Sequence, residues 1–242
     1  MEAPSSSPQR PILVWDVPVR VFHWLLVASF AGAWFTAESE RWRLIHVTLG
    51  YTVGGLVAFR VLWGLFGTRY ARFAGFVRGP RAVWTYLRSM WQRSPEHHTG
   101  HNPAGAAAIV AMLVLAGVTV GFGYATYNDL GGEWLARMHD TAANLMLAVI
   151  GVHVAGVVLG SWLHRENLVR AMVTGRKLGR ASDAIRRGWG AIAAVLLAAV
   201  LGYWALAWRD APAPGSAAAP PNAEAQQPSE HSRASALPLP LG

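Results

Sequence analysis

The sequence predicts an all-α integral membrane protein, a four-helix transmembrane bundle plus a fifth C-terminal transmembrane helix. Three observations carry that prediction. The chain of 242 residues is 53% hydrophobic but only 14% charged, against about 25% charged residues in a soluble domain. Its charges are clustered, which leaves five apolar stretches long enough for a hydrocarbon core of about 30 Å, crossed by roughly 20 helical residues. Lysine and arginine gather in alternate loops, as topology demands of a multi-pass protein.

The segment Met1–Asp16 is polar and proline-rich, and no small-residue cleavage site follows the first apolar run. It reads as a short disordered arm rather than a secretory signal. Span 1 is expected over about Pro18–Phe35, with proline at a helix start, where its missing N–H costs little. His23 lies early in this span, Arg20 one turn before it and Trp24 beside it. Span 2, about Leu44–Phe66, begins with His46. Its Gly50, Gly54 and Gly55 form a small face that permits close helix packing or admits a flat cofactor. Arg60 stands inside the apolar pattern fourteen residues after His46 and so on the same face. An intramembrane arginine implies a partner, such as a cofactor carboxylate; the alternative is a side chain snorkelling to the interface.

The loop Thr68–Pro103 is strongly basic. Within it Pro80–Gln92 reads as an amphipathic surface helix whose Trp and Tyr suit the headgroup level. It ends in PEHHTGHNPAG, where His97 and His98 read as loop residues. His101 and Asn102 sit where the chain enters span 3; they are candidates for hydrogen bonds to a quinone, with helix capping by Asn102 as the alternative. Span 3, about Ala104–Tyr124, has no histidine. Span 4, about Met138–His164, carries His139 and His153, again fourteen residues apart. Fourteen residues is close to four turns, so both imidazoles share a face roughly 21 Å apart along the axis. A basic lead-in precedes span 5, about Trp189–Trp208, and the Pro/Ala/Ser-rich tail from Arg209 is expected to be disordered.

The second and fourth loops are the basic ones, so by the positive-inside rule they are cytoplasmic. The N-terminus is then inside and the C-terminal tail outside. The same bias explains the net charge of +8 without nucleic acid. The chain has no cysteine, which excludes disulfides, thiolate-held clusters and covalent haem attachment.

In this topology the histidines sort by depth into two pairs, His46 with His139 near the outer surface and His23 with His153 towards the inner one. Two imidazoles on neighbouring helices are what a six-coordinate haem iron takes, one on each face. The pattern therefore points to His23, His46, His139 and His153 as ligands of two non-covalent haem b groups. Each imidazole should donate its other ring proton to a backbone carbonyl or similar group. A closed zinc site is disfavoured, since no thiolate or well-placed carboxylate completes either pair.

At these residues the sequence resembles bacterial membrane-bound cytochrome b of the cytochrome b561 superfamily, which includes the b-type subunits of nickel–iron hydrogenases and formate dehydrogenases. The stretches that carry the resemblance are WDVPVRVFHWLL (Trp15–Leu26), RLIHVTLGY (Arg43–Tyr51), FRVLWGLFG (Phe59–Gly67), PEHHTGHNPAG (Pro95–Gly105) and HDTAANLMLAVIGVHV (His139–Val154). It covers roughly Val14–Lys177. The resemblance implies a four-helix di-haem core that passes electrons between the quinone pool and a partner. It makes the four histidines ligands, Arg20 and Arg60 candidates for haem propionates, and Asn102 a neighbour of quinone at the inner haem. Span 5 and its tail depart from the simplest members.

The expected organisation is thus an arm (1–16), a cytochrome b domain (17–180), a fifth helix with its lead-in (181–208) and a tail (209–242). The expected function is respiratory electron transfer between quinone and a periplasmic cytochrome c or a dehydrogenase or reductase subunit. The alternative is a haem-binding membrane anchor for a periplasmic protein, without redox turnover of its own.

Overall fold

The computed structural model describes residues 10–92 and 98–209. His97, His231 and the expected disordered tail beyond Arg209 lie outside the described residues. In chain order the elements are β1 (Arg10–Leu13), α1 (Val17–Thr36), α2 (Arg43–Phe66), α3 (Phe73–Phe76), α4 (Pro80–Trp91), α5 (Pro103–Tyr127), α6 (Trp134–Leu163), α7 (Leu168–Thr174), β2 (Arg176–Gly179) and α8 (Gly190–Arg209). The five expected spans correspond to α1, α2, α5, α6 and α8, all long and apolar enough to cross a membrane. The expected surface helix is α4.

Local chemistry sets the helix starts. The Asp16 Oδ1 accepts a hydrogen bond from the Val19 N–H at 2.8 Å, with Pro18 in the first turn of α1. The Asn102 Oδ1 accepts from the Gly105 N–H at 2.7 Å, with Pro103 opening α5. Helix α6 starts four residues before the expected Met138, because Trp-Leu-Ala-Arg are compatible with a helix and Gly131 and Gly132 supply the break just before them.

The most extensive helix contacts are between α5 and α6 and between α1 and α2; α2 also packs on α5. Where the four meet, Val53, Ala116 and Met146 are buried, with Phe30, Val57, Val120 and Ile150 against them. Helix α8 lies against α1 and α2. It buries Val200 on Phe22 and Leu56, and the Trp204 indole donates to the Thr52 hydroxyl at 2.8 Å. A tryptophan N–H in an apolar environment needs an acceptor, so this bond fixes the rotation of the fifth helix on the bundle.

One expectation fails at the N-terminus. Arg10–Leu13, read as part of a disordered arm, is a strand paired antiparallel with β2, Arg10 opposite Gly179 and Leu13 opposite Arg176. Four residues carry too little alternation to announce a strand, and its partner lies at the far end of the four-helix unit. The pairing continues into a turn, where the Gly175 carbonyl accepts from the Val14 and Trp15 N–H groups at 2.8 and 3.0 Å. Gly175 caps α7 with φ +78°, and a Cβ there would meet the Trp15 carbonyl oxygen at 2.6 Å. Ile12, Val14, Trp15 and Ala171 form a small core beneath this clasp. Lys177 is buried in it and bonded to Glu166 at 3.1 Å.

Candidate cofactor site

At the end of the bundle away from the clasp, the first turn of α2 carries His46 and the second turn of α6 carries His139. Their ring centroids are 6.0 Å apart with planes at 75°. The His46 Nδ1 is 2.9 Å from the Ala33 carbonyl oxygen of α1, and the His139 Nδ1 is 2.9 Å from the Thr119 carbonyl oxygen of α5. A carbonyl only accepts, so each Nδ1 carries the proton and each Nε2 presents its lone pair. Two imidazoles bound on opposite sides of one metal, at about 2.0–2.1 Å per bond, would have ring centroids roughly 6 Å apart. The donor set therefore fits a bis-imidazole metal centre. It also meets the expectation that the second ring nitrogen of a ligating histidine be held by a backbone acceptor.

Glycine makes room for this arrangement. A Cβ on Gly123 would stand 2.9 Å from the His139 Cε1 and Nδ1, so only glycine allows α5 to approach that imidazole without displacing it. Gly50, also predicted to keep space open, would meet nothing within 4 Å.

Nearer the clasp, His23 on α1 and His153 on α6 are both half-buried and lie close enough to interact electrostatically. The His23 ring stands edge-on to Trp24 at 5.1 Å. The structure thus brings His46 and His139 ring to ring, and sets His23 and His153 within electrostatic reach of each other.

Of the two arginines expected at the cofactor, Arg20 is half-buried and Arg60 buried. Arg60 is 2% exposed, which removes the snorkelling alternative. Its guanidinium lies over the Phe73 and Phe76 rings at 4.8 and 5.8 Å, and its Nη1 is buried without a hydrogen-bond partner. Arg20 donates from Nη2 to the Val173 carbonyl of α7, while its Nε is also buried and unpartnered. Orphaned buried guanidinium nitrogens are costly, and a carboxylate is the group that such forks bind. Asn102 is where expected, but its side-chain oxygen is committed to the α5 cap. The neighbouring His101 lies between Trp15 and Phe76, with centroids 4.5 and 4.4 Å away, and its Nδ1 is buried and unpartnered. Burial first, then the nearby Arg60 and Lys177 charges, push its pKa down to about 3.

Sequence reasoning missed Asp16. It is 1% exposed and accepts from the Trp63 indole at 3.1 Å and the Thr68 hydroxyl at 2.6 Å besides capping α1. Its position before Val-Pro at a span start is an N-cap signal, but nothing in the order of residues points to Trp63 or Thr68.

Paired imidazoles inside an apolar helical bundle, with unpaired buried guanidinium nitrogens and no cysteine, define a membrane protein fitted for non-covalent haem. The chain belongs to the prokaryotic cytochrome b561 family, whose profile matches residues 14–175. It is accordingly a multi-pass membrane cytochrome, and membership implies b-type haem. Among similar proteins is the probable Ni/Fe-hydrogenase B-type cytochrome subunit of Azotobacter vinelandii, 24% identical over 217 residues, covering 70% of this chain and 90% of the relative. The probable Ni/Fe-hydrogenase 1 B-type cytochrome subunit of Escherichia coli strain K12 is 26% identical over 141 residues, covering 48% and 60%. A probable Ni/Fe-hydrogenase B-type cytochrome subunit of Rhizobium leguminosarum bv. viciae is 22% identical over 216 residues, covering 70% and 90%. No solved structure gives a significant match.

Proposed function

We propose that this chain is a di-haem b-type cytochrome that transfers electrons across a bacterial inner membrane between the quinone pool and a redox partner. The observation that carries this reading is the His46–His139 geometry: rings at ligation distance, each with its Nδ1 proton held by a backbone carbonyl. His46 and His139 would hold one haem b and His23 and His153 the other. Bound haem supplies one-electron redox chemistry at its iron. The chain's own residues orient the imidazoles, and the apolar bundle keeps water away from them. The orphaned Arg20 Nε and Arg60 Nη1 are available to haem carboxylates.

Quinone or quinol would be taken up near the clasp. His101 offers a buried ring nitrogen there, which supports the region more than Asn102, whose oxygen is occupied. The N-terminus would be cytoplasmic and the C-terminal tail periplasmic. The partner that the named relatives suggest is a nickel–iron hydrogenase; a periplasmic cytochrome c is the second candidate.

The deciding measurement is haem per protein by pyridine haemochrome, with a reduced-minus-oxidised spectrum, on purified protein and on His46→Ala and His153→Ala. A ratio near two that falls towards one in each variant is expected. A ratio near zero in folded protein would overturn the reading in favour of a membrane anchor.

A further inference from the structure

The clasped end of the bundle carries a basic surface around a cleft that His101 also lines, and its arginines have no part in the electron-transfer reading. A cleft of about 270 Å³ opens between the chain after α2 and the chain before α5, with Arg69, Arg78, His98 and Thr99 in its walls and Asp183 as its one carboxylate. A second cleft, about 360 Å³, shares Arg69 and adds Arg186, Arg187, Ile185 and Trp189, with no carboxylate. Asp183 stands 3.9 Å from the Arg69 guanidinium, too long for a tight ion pair. Arg78 is exposed and makes no ion pair among the described residues. Four guanidiniums therefore line two adjoining concavities against one acid.

These concavities are shaped by the backbone. A Cβ on Gly100 would meet the Tyr70 ring at 2.7 Å, and one on Gly75 the Arg69 carbonyl oxygen at 2.9 Å. The Tyr70 hydroxyl donates to the Asp183 carbonyl at 2.8 Å, joining the two sides. Their depth is set by the helix ends, since α2 stops at Phe66, α5 starts at Pro103 and α8 starts at Gly190. That is the level of the lipid headgroups for helices of this length. Beside the first cleft, α4 packs on α5 and leaves Trp84 70% and Trp91 91% exposed. Tryptophan in such positions belongs at the membrane interface.

We propose that the adjoining clefts around Arg69 bind the phosphate of an anionic phospholipid, with α4 lying on the bilayer surface beside it. Phosphate matches guanidinium forks, and basic pockets between transmembrane helices select anionic headgroups. The exposed Trp84, Trp91 and Trp189 rings favour a lipid over a free phosphate ion, which has no use for an apolar rim.

The test is native mass spectrometry of the full-length, haem-loaded protein from nanodiscs of phosphatidylcholine with and without one-fifth phosphatidylglycerol. Wild type should retain phosphatidylglycerol in preference to phosphatidylcholine. Arg69→Gln and Arg78→Gln should each weaken that retention about fivefold, the effect of roughly one charge near an anionic surface. Arg137→Gln, in the first turn of α6 at the other end of the bundle, should leave it unchanged. Inorganic phosphate at millimolar concentration should not displace the lipid. Equal retention in wild type and the two variants would overturn the proposal, and so would full displacement by inorganic phosphate, which would make this a soluble-anion site. If Arg69→Gln fails to fold, Arg78→Gln alone decides, because that exposed side chain supports no ion pair.

Discussion

His46 and His139 lie with ring centroids 6.0 Å apart, yet each is held by a helix other than its own, His46 by the Ala33 carbonyl of α1 and His139 by the Thr119 carbonyl of α5. All four helices of the bundle thus meet in the positioning of one imidazole pair. On the proposed reading, replacing either histidine would remove one ligand and leave the His23–His153 pair in place. His139→Ala should therefore lose one haem of two by pyridine haemochrome, and a variant that keeps both would refute the pairing.

Gly123 is the test of how finely the pair is set. In Gly123→Ala the new methyl would stand 2.9 Å from the His139 ring, and overpacking of this kind costs about 1–3 kcal/mol. The expected result is a weakened haem at this site, with a changed low-spin electron paramagnetic resonance signal, while the signal of the second haem stays in place.

Asp16 joins α1 to the end of α2. Asp16→Ala leaves the Trp63 indole, the Thr68 hydroxyl and a helix-end N–H without their acceptor. Each buried unpaired donor costs about 1–3 kcal/mol, so the loss should reach about 3 kcal/mol or more in detergent-solubilised protein. Asp16→Asn keeps an acceptor and should lose less. Thermal unfolding followed by circular dichroism would separate the two.

The Trp204–Thr52 bond predicts a smaller effect. Hydrogen bonds between transmembrane helices average about 0.6 kcal/mol and reach about 1.7. Trp204→Phe should destabilise within that range, and Thr52→Val combined with it should add little from the bond itself. Additive losses in a double-mutant cycle would show that the bond does not dock α8.

His101 gives the clasped end a pH dependence. Its folded pKa, about 3, lies below the ordinary value of 6.5, so the unfolded chain binds the proton more readily. Stability from this group is complete above about pH 6.5 and is lost as the pH falls towards 3. The groups around it are the cationic Arg60 and Lys177 and the His153 imidazole. Unfolding temperature measured from pH 7 to pH 4 should fall less steeply in His101→Phe than in wild type.

How much of this was legible beforehand depended on the range of each interaction. The five spans follow from apolar length, and the two histidine pairs from depth along helices of known rise. The cap at Asn102 follows from Asn-Pro at a helix start. What could not be read were contacts made across the chain. Arg60 was visible as an anomaly, but its cover, Phe73 and Phe76, comes from a four-residue helix after the span. Asp16 was read as the end of a disordered arm, and Trp63 and Thr68 come within its reach only when α1 and α2 pack. The strand at Arg10–Leu13 has no pattern of its own and exists because Arg176–Gly179 is beside it.

That strand pair also imposes an order on biosynthesis. Its first half leaves the ribosome before α1, and its second half only after α6 and α7 have been made. At about 5–20 residues per second, the N-terminal segment waits on the order of ten to thirty seconds for its partner. The clasp can close only once all four helices of the bundle have been synthesised. Its closure marks a completed cytochrome unit, after which α8 has only to settle against a finished surface.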